Sequence, residues 1–222
     1  KIPSIVSCSE MTDDYLRLPR GCEDAVIELF QNNFSAWDED DKTNPGRSID
    51  VKFIGQLRPE QEKAVQRMMA YNTGVLAATT AFGKTVAAIG MIARRKVNTL
   101  ILVHSRALLE QWKSELEKFL IINEQKPEEQ KKGRGRRKTY EHVGLLDGTR
   151  NTLHGIIDIA VFNSAISDDG VKPFVREYGM VIADECHHAA AIGYERVLKF
   201  INARYVYGLS ATPTRQDGMT PI

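Results

Sequence analysis

Cysteine is scarce. The three present, Cys8, Cys22 and Cys186, are odd in number and far apart, and none has the CxxC or Cys–His spacing of a zinc site. That pattern excludes a disulfide framework and predicts reduced thiols with no structural metal. Long apolar runs are missing too: nothing approaches the 18 or more apolar residues of a membrane span, so no membrane partner is expected. The opening Lys1-Ile2-Pro3 lacks the charged-then-apolar layout of a signal peptide, and a cytoplasmic location is the expectation. Net charge is small, because 30 Lys and Arg stand against 29 Asp and Glu. No internal repeat is visible. What remains is a chain of 222 residues, 42% hydrophobic and 27% charged, long enough for one sizeable core and a small appendage.

The near-neutral total hides an asymmetry. Residues 1–50 carry 5 Lys and Arg against 11 Asp and Glu, whereas residues 51–222 carry 25 against 18, so only the second part has the sign of a polyanion binder. The first part suggests a strand at Tyr15-Leu16-Arg17-Leu18 and a helix over 21–32 with Ala25, Val26, Leu29 and Phe30 on one face. Trp37 follows beside the acidic run 38–41, then the turn Asn44-Pro45-Gly46 and an alternating strand near 49–53.

From residue 55 onward, short β-branched or apolar runs alternate with helix-like stretches. Strands are predicted at 75–78, 99–104, 157–162, 180–183 and 205–209, and helices at 58–71, 84–94, 107–119 and 194–201. Repeated strand–helix units of this kind predict an α/β domain, a parallel sheet covered by helices on both faces. Between 126 and 140 the periodicity breaks, and Lys131, Lys132, Arg134, Arg136, Arg137 and Lys138 crowd six positive charges into eight residues. Two readings stand for this basic loop: a solvated loop, or a contact to a phosphate backbone.

Two segments carry chemistry. Ala78-Thr79-Thr80-Ala81-Phe82-Gly83-Lys84-Thr85 is a phosphate loop of the GxxxxGK[ST] class with Ala in its first position, set between an apolar strand and a helix. Backbone N–H groups of Thr80, Ala81, Phe82 and Gly83 at a helix N-terminus favour anions, Lys84 can reach β and γ phosphates, and the Thr85 hydroxyl can ligate Mg²⁺. The pairing predicts a nucleoside triphosphate and Mg²⁺ as the ligands. The second segment, Met180-Val181-Ile182-Ala183-Asp184-Glu185-Cys186-His187, is an apolar strand ending in adjacent carboxylates. Ligands bind at that edge of an open α/β sheet, so Asp184 can hold the metal while Glu185 orients and deprotonates an attacking water. Cys186 reads as packing.

The phosphate loop, the Asp184-Glu185-Cys186-His187 box and Ser210-Ala211-Thr212, in that order, resemble motifs I, II and III of superfamily 2 helicases. The resemblance implies a RecA-like P-loop domain in which Ser210, Thr212 and His187 couple nucleotide state to domain movement. Gln61, within Leu57-Arg58-Pro59-Glu60-Gln61, matches the family's Q-motif glutamine, whose carboxamide suits the adenine edge. His104-Ser105-Arg106 and Asn163-Ser164 match the strand-contacting motifs Ia and Ib, with groups suited to tracking a backbone rather than reading bases. Stretches 100–112, 184–188 and 208–218 are most similar to XPB-type repair helicases, phage branch-migration helicases and restriction-system helicase subunits.

By that resemblance, residues 54–222 form the first, ATP-binding RecA-like domain, and residues 1–53 the end of a small α+β accessory domain. The expected activity is an ATP hydrolase driving DNA translocation or unwinding in repair, recombination or restriction. RNA stays open as an alternative substrate, as does a nucleotide-gated binding module without turnover. The implied partners are DNA, a second RecA-like domain carrying an arginine finger and, in the restriction case, a nuclease. The chain is expected to stop before that second domain and, alone, to turn ATP over slowly.

Overall fold

A computed structural model of the chain describes residues 9–125, 131–132, 136–137, 141–186 and 192–211. His187, Thr212 and Lys131 to Lys138 as a side-chain cluster lie outside the described residues. The chain divides into two compact units, Lys1–Asp41 and Lys42–Pro221.

In the smaller unit, β1 (Glu10–Met11) pairs antiparallel with β2 (Leu16–Arg17), and α1 (Glu23–Asn33) follows. Phe30 gathers the apolar side chains there, with Phe34 at 5.0 Å and Trp37 edge-on at 6.0 Å between ring centroids. The predicted strand and helix are both present.

The larger unit begins with β3 (Val51–Phe53), α2 (Pro59–Met69), β4 (Thr73–Ala77), α3 (Lys84–Arg95), β5 (Thr99–Val103), α4 (Arg106–Phe119) and β6 (Leu120–Ile122). It continues with the short pair β7 (Lys131–Lys132) and β8 (Arg136–Arg137), then β9 (Val143–Leu146), β10 (Ile157–Val161), β11 (Ile166–Ser167), β12 (Gly170–Val171), β13 (Met180–Ala183), α5 (Ile192–Phe200) and β14 (Tyr205–Ser210). Six strands form one sheet in the order β4-β14-β13-β5-β10-β9, and every pairing is parallel.

Period-two alternation sends the two faces of each strand to different cores. Ile101 and Val103 of β5 and Met180 and Ile182 of β13 join Ala87, Ile89, Met91 and Ile92 of α3 and Leu109, Trp112 and Leu116 of α4. Leu100, Leu102, Val181 and Ala183 face the other way, onto Tyr178, Tyr194, Val197 and Ile201. A sheet buried on both faces explains why β5 is apolar at all but its first position.

Two features differ from the sequence expectation. Residues 42–53 belong with the larger unit rather than with the appendage: Ile49 and Val51 are buried in its core, and β3 pairs antiparallel with β6. The sheet also has a strand, β9, for which the sequence predicts no element.

Candidate nucleotide site

The strand-to-helix turn after β4 builds the phosphate loop. Its entry is fixed by a backbone bond from the Ala78 N–H to the Ser210 carbonyl at 3.0 Å, so the end of β14 is tied to the start of the loop. Thr80–Phe82 form one 3-10 turn, and Gly83 adopts φ +76°, ψ 48° immediately before α3. A left-handed residue there favours glycine. A Cβ at Gly83 would also come within 2.6 Å of Gln61 Nε2. Thr80 and Ala81 are exposed, and Thr85 is half-buried in the first turn of α3.

Lys84 is buried, with its Nζ donating to the Ala78 carbonyl at 2.9 Å and the Thr79 carbonyl at 3.4 Å. Both hydrogen-bond partners are neutral. A buried ammonium held only by carbonyls is poised to exchange them for an anionic oxygen, where the bond is charge-assisted. Gln61 and Arg58 brace the same turn from α2. Gln61 Nε2 donates to the carbonyls of Phe82 at 2.8 Å and Gly83 at 3.3 Å, while its Oε1 accepts from the Arg58 backbone N–H at 2.9 Å. The Arg58 guanidinium donates to the Ala81 and Phe82 carbonyls. The carboxamide expected to face adenine is engaged with the loop itself.

Asp184 follows β13, a central strand, and is 7% exposed. Its backbone N–H donates to the Leu102 carbonyl at 2.9 Å. The carboxylate accepts from two directions: Oδ1 from the Glu185 N–H at 2.9 Å, and Oδ2 from the Trp112 indole Nε1–H at 2.8 Å. Burial raises its pKa, opposed by those two hydrogen bonds and by the positive charge of Lys84. Glu185 has φ +47°, a left-handed conformation that costs a residue with a Cβ about 1 kcal/mol. Burial pushes the Cys186 thiol up to about 11, and its sulfur packs against Gly208. That is the packing role its place in the box suggested, since a thiol held protonated is a poor nucleophile.

The remaining motif residues cluster at the C-terminal ends of neighbouring strands. His104, Ser105 and Arg106 follow β5, and Asn163 and Ser164 follow β10. Ser105 caps α4, its Oγ accepting from the Leu108 N–H at 3.3 Å. Arg106, whose side chain is 55% exposed, donates from Nη2 to Asp147 Oδ1 at 3.0 Å and to Thr149 Oγ1 at 2.6 Å. Ser164 offers its carbonyl to Lys172 Nζ at 2.8 Å. Ser210, fully buried, lies in register with Ala77.

Asp147 escaped sequence reasoning. It closes the turn after β9 and accepts from the Thr149 and Arg150 N–H groups as well as from both guanidiniums. Burial alone would raise its pKa, but those bonds together hold it well below the usual carboxylate range. The signal available was its Asp-Gly turn after an apolar run; nothing in the sequence pointed it toward Arg106.

The site residues fit Mg²⁺ and a nucleotide polyphosphate. Thr85 and Asp184 offer the hydroxyl and carboxylate oxygens that a hard divalent ion takes, and the Lys84 ammonium stands at the loop. No group of three or more His, Cys, Asp or Glu that could hold a metal occurs among the described residues. No helix among them is long and apolar enough to cross a membrane.

The chain is 28% identical over 168 residues to the DNA 3'-5' translocase XPB2 of Sulfurisphaera tokodaii, covering 76% of this chain and 33% of that protein. It is 26% identical over 207 residues to the general transcription and DNA repair factor IIH helicase/translocase subunit XPB of Dictyostelium discoideum, covering 90% and 25%. The chain thus spans a quarter to a third of these relatives. Its fold resembles that of the UvsW helicase from bacteriophage T4, with a TM-score of 0.61 at 15% identity over 91% of this chain and 74% of that one. The sequence profile described as "Type III restriction enzyme, res subunit" matches residues 54–215. The chain therefore belongs to that family, and its larger unit is the first RecA-like domain of a superfamily 2 helicase.

Proposed function

We propose that this chain is the ATP-binding half of an ATP-dependent DNA translocase or helicase. The observation that carries the reading is the buried Lys84 ammonium at the phosphate loop, its Nζ on the Ala78 and Thr79 carbonyls, together with the buried Asp184 carboxylate at the C-terminal end of β13, in the same sheet as β4. In this reading, the N–H groups of Thr80 to Gly83 and the Lys84 ammonium hold the β and γ phosphates, and Thr85 and Asp184 hold Mg²⁺. The bound ion neutralises charge developing on the phosphate oxygens. Glu185 orients a water toward the γ phosphorus and accepts its proton as the new P–O bond forms and the bond to the β-phosphate oxygen breaks. Ser210, through its carbonyl on the Ala78 N–H, carries strain at the loop into the sheet; Thr212 and His187 complete that coupling.

DNA is the substrate the reading favours, because the two named relatives are described as a DNA translocase and a DNA repair subunit. His104, Ser105, Arg106, Asn163 and Ser164 supply the phosphate contacts. The arginine finger comes from a second RecA-like domain, and the smaller unit is the end of an accessory domain.

The test is a pair of measurements. The chain should bind Mg²⁺·ATP, and when joined to a second RecA-like domain it should hydrolyse ATP faster by at least ~10³ with DNA present. Glu185→Gln in the joined protein should keep binding and lose turnover. Turnover within twofold of wild type would remove Glu185 as the base.

A further inference from the structure

We propose that Trp112 is a positioning residue for the nucleotide site: its indole N–H sets the orientation in which Asp184 meets the divalent cation. The inference rests on the Mg²⁺·nucleotide reading above and adds a residue that none of the motifs contains. Trp112 lies on α4 between Leu109 and Leu116, and all three are buried. At that place any large apolar side chain would fill the core. What tryptophan adds is one donor, and it is spent on Asp184 Oδ2 at 2.8 Å across 72 residues of sequence.

The geometry explains why a donor is needed. The terminal torsion of an aspartate is broad, so a single bond at one oxygen leaves the carboxylate plane free to swing. Here the Glu185 N–H anchors Oδ1 and the indole anchors Oδ2, from two different elements. Two anchors fix the plane, and each oxygen keeps a lone pair for a metal or its water. An indole N–H cannot accept a bond or ionise near pH 7, so it competes neither for the cation nor for the proton handled by Glu185. It also supplies a charge-assisted bond to a carboxylate that burial would otherwise leave poorly solvated. Partners of this kind behind a metal ligand govern affinity by orienting it.

The chain contains two tryptophans, Trp37 and Trp112, which gives a direct readout. In a Trp37→Phe chain the emission of Trp112 should change saturably as Mg²⁺·ADP is added. It should stay unchanged with ADP in EDTA, and unchanged when Asp184→Asn is added to that background. In Trp112→Phe, a fluorescent ATP analogue should need about tenfold more Mg²⁺ for half-saturation, while its affinity in EDTA stays within about twofold of wild type. A purely structural role would weaken both. Wild-type Mg²⁺ dependence in a folded Trp112→Phe chain would overturn the inference and leave the nucleotide reading standing. So would an unresponsive Trp112 emission in a chain that binds the analogue with Mg²⁺, and this arm decides even where Trp112→Phe does not fold. Failure of the wild-type chain to bind the analogue at any Mg²⁺ concentration would overturn both.

Discussion

Gln61 Nε2 donates to the Phe82 carbonyl at 2.8 Å, so a side chain from the start of α2 holds the last turn of the phosphate loop. The same carboxamide accepts from the Arg58 N–H, which closes a capping box on α2. Losing it removes donors from two loop carbonyls and a partner from one helix N–H, about 1–2 kcal/mol in all. Gln61→Ala is therefore expected to weaken ATP about tenfold and inorganic triphosphate by a similar factor. Calorimetric titration of both ligands separates the roles: a loss confined to ATP would mean that Gln61 reads adenine and does not support the loop.

Lys84→Ala should abolish measurable nucleotide binding. The ammonium is the cation of the loop, and its removal also leaves the Ala78 and Thr79 carbonyls without the donor they have in the free protein. The fold should survive, because α3 is packed through Ala87, Ile89, Met91 and Ile92 rather than through Lys84. Circular dichroism establishes the fold and a fluorescent-nucleotide titration the binding. Unchanged affinity in a folded variant would end the phosphate-loop assignment.

Acid sensitivity should trace to His154. Burial lowers its pKa, helped by Arg47 and His142 and opposed by Asp158, so the native state holds it neutral, with Nδ1 accepting from the Ile156 N–H at 3.2 Å. The unfolded chain takes up that proton first, near pH 6.5, so the stabilisation is complete above that pH and lost as pH falls below it. The slope is at most about 1.4 kcal/mol per pH unit. Asp147 is shifted in the same direction and works in a lower window: its stabilisation is present above about pH 3.8 and lost in stronger acid. Urea denaturation between pH 7.5 and 5 checks this, with His154→Asn, which keeps an acceptor for Ile156, expected to flatten the dependence. An equal slope in that variant would assign the effect to other groups.

Much of the site was legible because its signals are local. A phosphate loop needs a strand, a left-handed glycine and a helix in immediate succession, and residues 73–95 spell all three. Asp184 and Glu185 were legible because an apolar run stops at them. The β9 strand was not, since Val143-Gly144-Leu145-Leu146 is short and broken by a glycine. That glycine answers a tertiary demand: a Cβ at position 144 would stand 1.9 Å from Asp158 Oδ1. Residues 42–53 read as part of the appendage because the alternation of strands and helices starts only at residue 55. What holds them to the larger unit is backbone pairing with β6 and the burial of Ile49 and Val51. Trp112 and Asp147 act through partners 72 and 41 residues away, and a side chain's distant partner leaves no trace in local pattern.

Arg106 should serve the nucleic-acid face as a held guanidinium rather than a free one. Its Nη2 is committed to Asp147 and Thr149, yet the side chain remains 55% exposed, so other N–H groups of its planar fork can meet a phosphate. Arg106→Ala is expected to weaken DNA binding by a similar factor for unrelated sequences and to reduce the slope of log K against log salt by about 0.9, the release of one counterion on duplex DNA. Arg106→Lys keeps the charge but not the fork: a single ammonium cannot hold the Asp147 turn and a phosphate together. The lysine variant should therefore keep the salt slope while binding more weakly than wild type. Fluorescence anisotropy of a labelled duplex across 50–200 mM salt measures both quantities. If Arg106→Ala left the slope unchanged, Arg106 would be a strut for the turn after β9, and the phosphate contacts would have to come from the other groups at this edge of the sheet.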